Sequence, residues 1–360
     1  MNILIIGNGF DLAHDLPTRY SDYVDQVAQK QDFWKYLRDN KADSSRFELY
    51  RQVQKSILFE YIAQKRKIGW IDFENELKKI VDSICELRNY VKPQSELTVG
   101  GTYTETFCMK QRTPSDCPLF LRMMLGELGF GPWNEKDLTD IEKAVLNQAF
   151  DFIELFKEYI LWVTKVKMPM VTKIRYFEEL NVNFFLSFNY TPTFFDVYHK
   201  QLNPNNVCYV HGLIRENSDS QIVMGVGSNF YMDGKHEKFV ELFKFFQRYR
   251  YKMSATYQAW IKYLDDLDHQ SLNYLTNKPV IHIYGHSLDP TDKDVLLPFL
   301  ELEDAEVWIY YYNESSKLDL QKNLVRILGK NKFCQYMLCA KPKISFKRII
   351  EKENSYKLED

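Results

Sequence analysis

Residues 1–24 read MNILIIGNGFDLAHDLPTRYSDYV, and the turn Gly7-Asn8-Gly9-Phe10-Asp11 decides how the chain folds. Asn2 to Ile6 is short and nearly all apolar, the pattern of a central strand in a parallel sheet. Two glycines follow at once, as in a strand-to-helix turn that lets backbone approach a nucleotide. The dinucleotide fingerprint G-x-G-x-x-G is incomplete, because the third glycine is missing and Asp11 stands where phosphates are expected. Asp11 reads in two ways. It is an N-cap of the next helix, or it touches a ligand, and then a ribose hydroxyl or an amide suits an acid better than a pyrophosphate does. The glycines also have a plainer reading, a tight turn with no ligand.

Outward from this turn, Pro17 and Thr18 open a helix with Tyr20, Tyr23, Val24 and Val27 on one face. The chain then changes character from about residue 30 to 178. Tyr50, Val53, Ile57 and Tyr61 form one helical stripe; Phe73, Leu77, Ile80, Ile84 and Leu87 form a second; Val145, Ala149, Phe152, Phe156, Ile160 and Val163 form a third. Residues 91–137, rich in Gly, Pro and Thr, read as loops with one short helix around Leu119 to Leu128. Strand patterns return with NFFLSF (183–188), VCYVHG (207–212), QIVMGVG (221–227), PVIHIYGHS (279–287) and EVWIYYYN (306–313). One long helix is expected from His236 to Leu264, and others after IYGHS and YYYN. The expected fold is α/β: a Rossmann-like parallel sheet with helices on both faces, interrupted by a large α-helical insertion. Its parts are residues 1–29 (first strand and helix), 30–178 (insertion), 179–350 (remainder of the sheet) and 351–360 (a polar tail).

The bulk numbers bound the function. The 360 residues make one large domain or two smaller ones, and 45% hydrophobic residues suffice for a sizeable core. With 47 Lys and Arg against 49 Asp and Glu, no long-range field favours general nucleic-acid binding. No leader pattern precedes the first strand and no apolar window approaches membrane-spanning length, so a cytoplasmic protein is expected. Six cysteines (Cys85, Cys108, Cys117, Cys208, Cys334 and Cys339) form no C-x-x-C pair, and no H-E-x-x-H or similar ligand spacing occurs, so no metal is expected. There is no G-x-S-x-G elbow and no P-loop.

Each strand ends in polar or small residues: Gly7 to Asp11; Ser187, Asn189 and Thr191; His211 and Gly212; Gly285, His286, Ser287 and Asp289; Asn313. In an open parallel sheet these carboxyl ends line the ligand crevice. His211 is placed to exchange a proton near neutral pH, or it is a hydrogen-bonded structural histidine. Asn189 is a ligand contact or a loop Asn bonded to its own backbone, and Asp289 a contact or a helix cap. His14, His199, His236, His269 and His282 read as structural or surface residues.

The blocks NILIIGNGFDLAHDLPTRYSDYV, FFLSFNYTPTF, YVHG and IYGHSLDPTDKD together resemble the AbiH family, associated with abortive infection, a bacterial defence against phage. GWIDFENEL in the insertion also looks like a family block and singles out Asp72 and Glu74, the latter being a site residue or part of a solvated helix face. More distantly, the order of blocks is similar to the sirtuin NAD site. Gly7-Asn8-Gly9-Phe10-Asp11 corresponds to the G-A-G-x-S loop, Phe188-Asn189-Tyr190-Thr191 to Q-N-I-D, Val210-His211-Gly212 to H-G, Gly285-His286-Ser287-Leu288 to G-T-S-L, and Asn313 to the final strand end. No paired cysteines match the sirtuin zinc module, the loop Ser is Asp11, and the Asp of Q-N-I-D is Thr191.

This resemblance implies NAD as substrate or ligand, with Asn189 and His211 in the catalytic roles. It implies binding roles for Gly7, Asn8, Gly9, Phe10, Asp11, Ser187, Gly212, Gly285, His286, Ser287 and Asn313, and additional ones for Asp72, Glu74, Thr191 and Asp289. The expected function is an abortive-infection effector that hydrolyses NAD and releases nicotinamide. A non-catalytic nucleotide sensor is the alternative, and a nucleic-acid-directed effector a weaker one. A phage-derived trigger is implied, and self-association is an expected means of gating.

Overall fold

The structure is a computed structural model that describes residues 1–39, 44–68, 72–87, 135–168, 174–216, 220–227, 236–253, 255–267, 278–352 and 355–358. The loops and short helix expected over 91–137 lie outside these residues as far as residue 134. The first strand, β1 (Asn2–Ile6), is paired in parallel on both sides. Ile3 faces Phe184 of β2 (Phe184–Ser187) and Ile281 of β4 (Val280–Tyr284). β3 (Val207–Tyr209) extends the sheet beyond β2, while β5 (Glu306–Tyr311) and β6 (Ile344–Lys352) extend it beyond β4. The last residues, expected as a polar tail, include a short strand, β7 (Ser355–Leu358), antiparallel to β6. The order is β3-β2-β1-β4-β5-β6-β7. Its six parallel strands have the doubly wound Rossmann arrangement, with the winding reversing between β1 and β4.

Side chains alternate across a strand, and β1 shows why the sheet is covered twice. Ile3 and Ile5 enter one core with Val295 and Phe299 of α12 (Lys293–Glu301) and Leu324 of α13 (Glu314–Met337). Leu4 and Ile6 enter the opposite core with Phe10 of α1 (Asn8–Ala13), Phe177 of α8 (Arg175–Glu179) and Phe194 of α9 (Thr193–Tyr198). Helices therefore lie on both faces, as the apolar strands require.

A third core belongs to the insertion. It joins α2 (Tyr20–Ala28), which precedes the insertion, to α3 (Asp32–Asp39), α4 (Ser44–Lys55), α5 (Ile57–Ile68), α6 (Phe73–Leu87) and the 32-residue α7 (Glu135–Val166) of the insertion itself. Val145, Ala149, Phe152, Phe156, Ile160 and Val163 of α7 are all buried there. The same core takes in Ile222, Met224, Val226, Leu242 and Phe243, which lie between β3 and β4. The insertion is thus packed onto the chain that leads into the site.

Three local expectations are corrected. The stripe from Tyr50 to Tyr61 is split between α4 and α5 at Ser56, whose Oγ accepts from Phe59 N at 3.1 Å and so caps the second helix. QIVMGVG is not a strand: its Val226 makes only an isolated bridge to Phe243. Gly225 and Gly227 instead let the backbone press against Leu242 and Thr291, where an added Cβ would meet atoms at 2.1 and 2.5 Å. The single helix expected over 236–264 is a 3-10 turn (Glu237–Leu242) followed by α10 (Lys244–Arg250) and α11 (Thr256–Asp265). Lys252, in the left-handed region at φ 51°, ends α10. Among the described residues no helix is long and apolar enough to cross a membrane.

Candidate functional site

At the point where the winding reverses, the loops after β1 and β4 cross in direct backbone contact. Gly7 N donates to Tyr284 O at 3.1 Å, and Gly9 N donates to Gly285 O at 2.7 Å. A Cβ on Gly9 would lie 2.6 Å from Gly285 Cα, and one on Gly285, at φ +68°, 2.2 Å from Phe10 N. The two loops need these glycines to approach each other. Phe10 does not line the crevice; it is fully buried against Phe177 and Tyr284. Asn8 is exposed and its Oδ1 accepts from Thr18 Oγ1 at 2.6 Å.

Asp11 lies inside α1 rather than at its cap, which is Gly7. Its carboxyl is buried and faces the residues after β2. Thr191 Oγ1 donates to Asp11 Oδ2 and Thr193 Oγ1 to Oδ1, each at 2.7 Å. Burial pushes the Asp11 pKa up to about 6, opposed by those two hydroxyls. Asn189 stands beside the same carboxyl and weakly favours its charged form. Its backbone N donates to Ser187 Oγ at 3.0 Å, which fixes the turn. The residue is 4% exposed, and among the described residues neither Oδ1 nor Nδ2 meets full hydrogen-bond geometry, Nδ2 only leaning toward the Asp11 carboxylate. The Tyr209 hydroxyl, close enough to feel the Asp11 charge, is buried without a partner as well. Each such orphan costs about 1–3 kcal/mol.

His211, two residues past the end of β3, is held from several sides. Its carbonyl accepts from Val223 N at 2.9 Å. Phe188 meets its ring edge-on, and Tyr190 lies nearly parallel to it. Its Nε2 is 3.1 Å from Asp292 Oδ1. The same oxygen accepts from Lys244 Nζ at 2.9 Å, and Lys244 also reaches Glu74 Oε2 at 2.8 Å and Thr291 Oγ1 at 3.4 Å. Burial, reinforced by the Lys244 charge, pushes the His211 pKa down to about 4, against the pull of Asp292. The ring is therefore neutral at pH 7. Lys244 holds the Asp292 carboxyl well below its usual range despite its burial, while burial lifts Glu74 to about 7. His286 Nε2 stands 3.6 Å from Asp292 Oδ2.

The structure forms two groups of expected residues: Asp11, Asn189 and Thr191, and His211, His286 and Glu74; the chain neighbours of Asn189, Phe188 and Tyr190, pack on the rings of the second group. Others have local work. Asp72 caps α6, accepting from Asn75 N at 3.1 Å. Asp289 caps the turn Pro290–Asp292 through Thr291 N at 2.8 Å. Asn313 is exposed and caps α13 by accepting from Ser316 N at 2.8 Å. Ser287 is exposed and its carbonyl accepts from Asn323. Gly212, at φ +90°, passes under Gln221 O, where a Cβ would sit at 2.3 Å. Sequence reasoning missed Lys244, Asp292 and Thr193. Lys244 left one signal, a cation within the apolar run LFKFF.

Fold and site define a class: a doubly wound α/β protein whose polar side chains gather at the strand ends where such folds take ligands. The chain belongs to the AbiH family, whose model, described as "Bacteriophage abortive infection AbiH", matches residues 3–312. Its role is accordingly in abortive infection, the defence of bacteria against phage. No curated protein and no solved structure matches it. β6 and β7 lie beyond the matched residues.

Proposed function

We propose that the crevice cleaves the N-glycosidic bond of NAD, so that NAD and water give ADP-ribose, nicotinamide and a proton. The supporting observation is Asn189, a buried amide at a strand end whose Oδ1 and Nδ2 make no full hydrogen bond among the described residues, Nδ2 only leaning toward Asp11. It offers one donor face and one acceptor face to a ribose hydroxyl or to the attacking water. His211, neutral at pH 7 and within the same strand-end cluster, takes the proton that the water gives up. Asp11 and the Thr191 and Thr193 hydroxyls border the ribosyl end. The pyrophosphate end fits less well. The Gly9 N–H and the open faces of Gly7 and Gly9 are taken by Gly285 and His286, so the phosphates do not rest on this turn as in a dinucleotide fingerprint.

The test is NAD consumption by the full-length protein during phage infection, followed together with plaque counts. Asn189→Ala and His211→Ala are expected to lower NAD loss by about 100-fold or more, in the range of a lost catalytic group, and to abolish protection. Protection that persists in the wild type while NAD stays intact defeats the reading. The closed glycine turn favours one alternative, a ribosyl-nucleotide sensor. It predicts a thermal shift with nucleotides that Asn189→Ala removes, without turnover.

A further inference from the structure

We infer that Asp292 and Lys244 are positioning residues that lock His211 into one tautomer, proton on Nε2 and lone pair on Nδ1, and that Glu74 lets the helical insertion complete this clamp. The inference deepens the proposed reaction and rests on it for its catalytic meaning, but not for its geometry.

An ionised carboxylate only accepts hydrogen bonds. Asp292 is kept ionised by Lys244 at 2.9 Å, so His211 Nε2, at 3.1 Å, has to be the donor. A neutral ring with its proton there presents Nδ1 as the acceptor, and Nδ1 makes no hydrogen bond to any described residue. The ammonium of Lys244 has three protons and three acceptors around it: Asp292 Oδ1, Glu74 Oε2 and Thr291 Oγ1. With the ammonium spoken for on every side, Asp292 Oδ1 cannot turn away from the ring. His286 adds to the same arrangement. Its Nδ1 accepts from Leu288 N at 2.9 Å, which puts its proton on Nε2, facing Asp292 Oδ2. Glu74 comes from the first turn of α6, in the insertion, whereas Asp292 and His211 belong to the sheet domain. The catalytic histidine of the proposed reaction is thus oriented by a chain of contacts that crosses from one part of the molecule to the other.

The double variant Lys244→Met/Asp292→Leu tests this. It removes the oxygen that Lys244 and the ring share together with the cation that keeps it ionised, so nothing holds the His211 proton on Nε2. The readout is the long-range proton–nitrogen NMR spectrum of the full-length protein labelled with nitrogen-15 in histidine, at pH 7, with the His211 signal assigned by its loss in His211→Gln. The expected result is an Nε2–H pattern in the wild type and a mixture of Nε2–H and Nδ1–H forms in the double variant, with kcat for NAD lowered about 100-fold or more and KM little changed. A wild-type His211 that is charged or carries its proton on Nδ1 overturns the inference, as does an unchanged Nε2–H pattern in the double variant. If that variant does not fold, the wild-type spectrum alone decides. An Nε2–H ring without NAD turnover upholds the clamp and sinks the hydrolase; turnover with an Nδ1–H ring does the reverse.

Discussion

Asp11 shows how one side chain can defeat a sequence reading. An acid just after a strand-to-helix turn suits a cap and a ligand contact equally, and its real partners, Thr191 and Thr193, lie about half the chain away. Asn189 and His211 were legible because a polar residue at the end of an apolar strand is unusual enough to stand out alone. Lys244 was not, since one cation in an amphipathic run reads as a surface residue until its burial is seen. The glycines carry the sharpest prediction at this scale. Gly285→Ala combines a φ of +68° with a Cβ 2.2 Å from Phe10 N, so backbone at the crossing must move. A loss of about 3 kcal/mol or more is expected in urea unfolding. A variant within 1 kcal/mol of the wild type, an effect of about the size of an ordinary substitution, would show that the loops do not need this contact.

Among the elements, α6 joins two duties. Its buried face holds the insertion together: Phe73 stacks on Phe152 of α7 with ring centroids 4.3 Å apart. Phe73→Ala is expected to cost about 3–5 kcal/mol, read by thermal or urea unfolding. Its first turn sends Glu74 to Lys244. Lys244→Met leaves Asp292 a buried charge without its cation and is expected to cost about 3–5 kcal/mol, whereas the double variant Lys244→Met/Asp292→Leu should recover much of that. A double variant no more stable than the single one would deny the pairing. The apolar periodicity of these helices was plain in the sequence, but their ends were not. Ser56 divides a continuous stripe by a side-chain bond, and Lys252 ends a helix by a backbone angle, and neither leaves a mark on the hydrophobic pattern.

Over the whole molecule, acid should weaken the fold. His14, His211 and His282 are each pushed down to about 4 by burial. Between the free histidine value and that pKa the unfolded chain binds protons the folded chain refuses, so stability is lost as pH falls from 7 to 5. Asp11, raised to about 6, and Glu74, raised to about 7, act in the opposite sense, since the folded chain holds their protons more tightly. The three histidines outweigh the two carboxyls, and a net loss of about 2 kcal/mol is expected between urea titrations at pH 7 and pH 5. Glu74→Gln removes one opposing contribution, so its stability should fall more steeply over the same interval. An equal or shallower fall would mean that Glu74 is not held protonated in the folded chain.

The sheet order has a further consequence, one of timing. Ile3 pairs with Phe184 and Ile281, far downstream of it in the chain, and the acceptor shared by Lys244 and His211 is Asp292. A ribosome must therefore read on through Asp292 before the crevice has its walls and the His211 ring its carboxylate partner. A fragment that ends before Asp292 lacks the acceptor that His211 and Lys244 share. Whatever chemistry the cluster supports, it can support only after translation has passed the codon for Asp292.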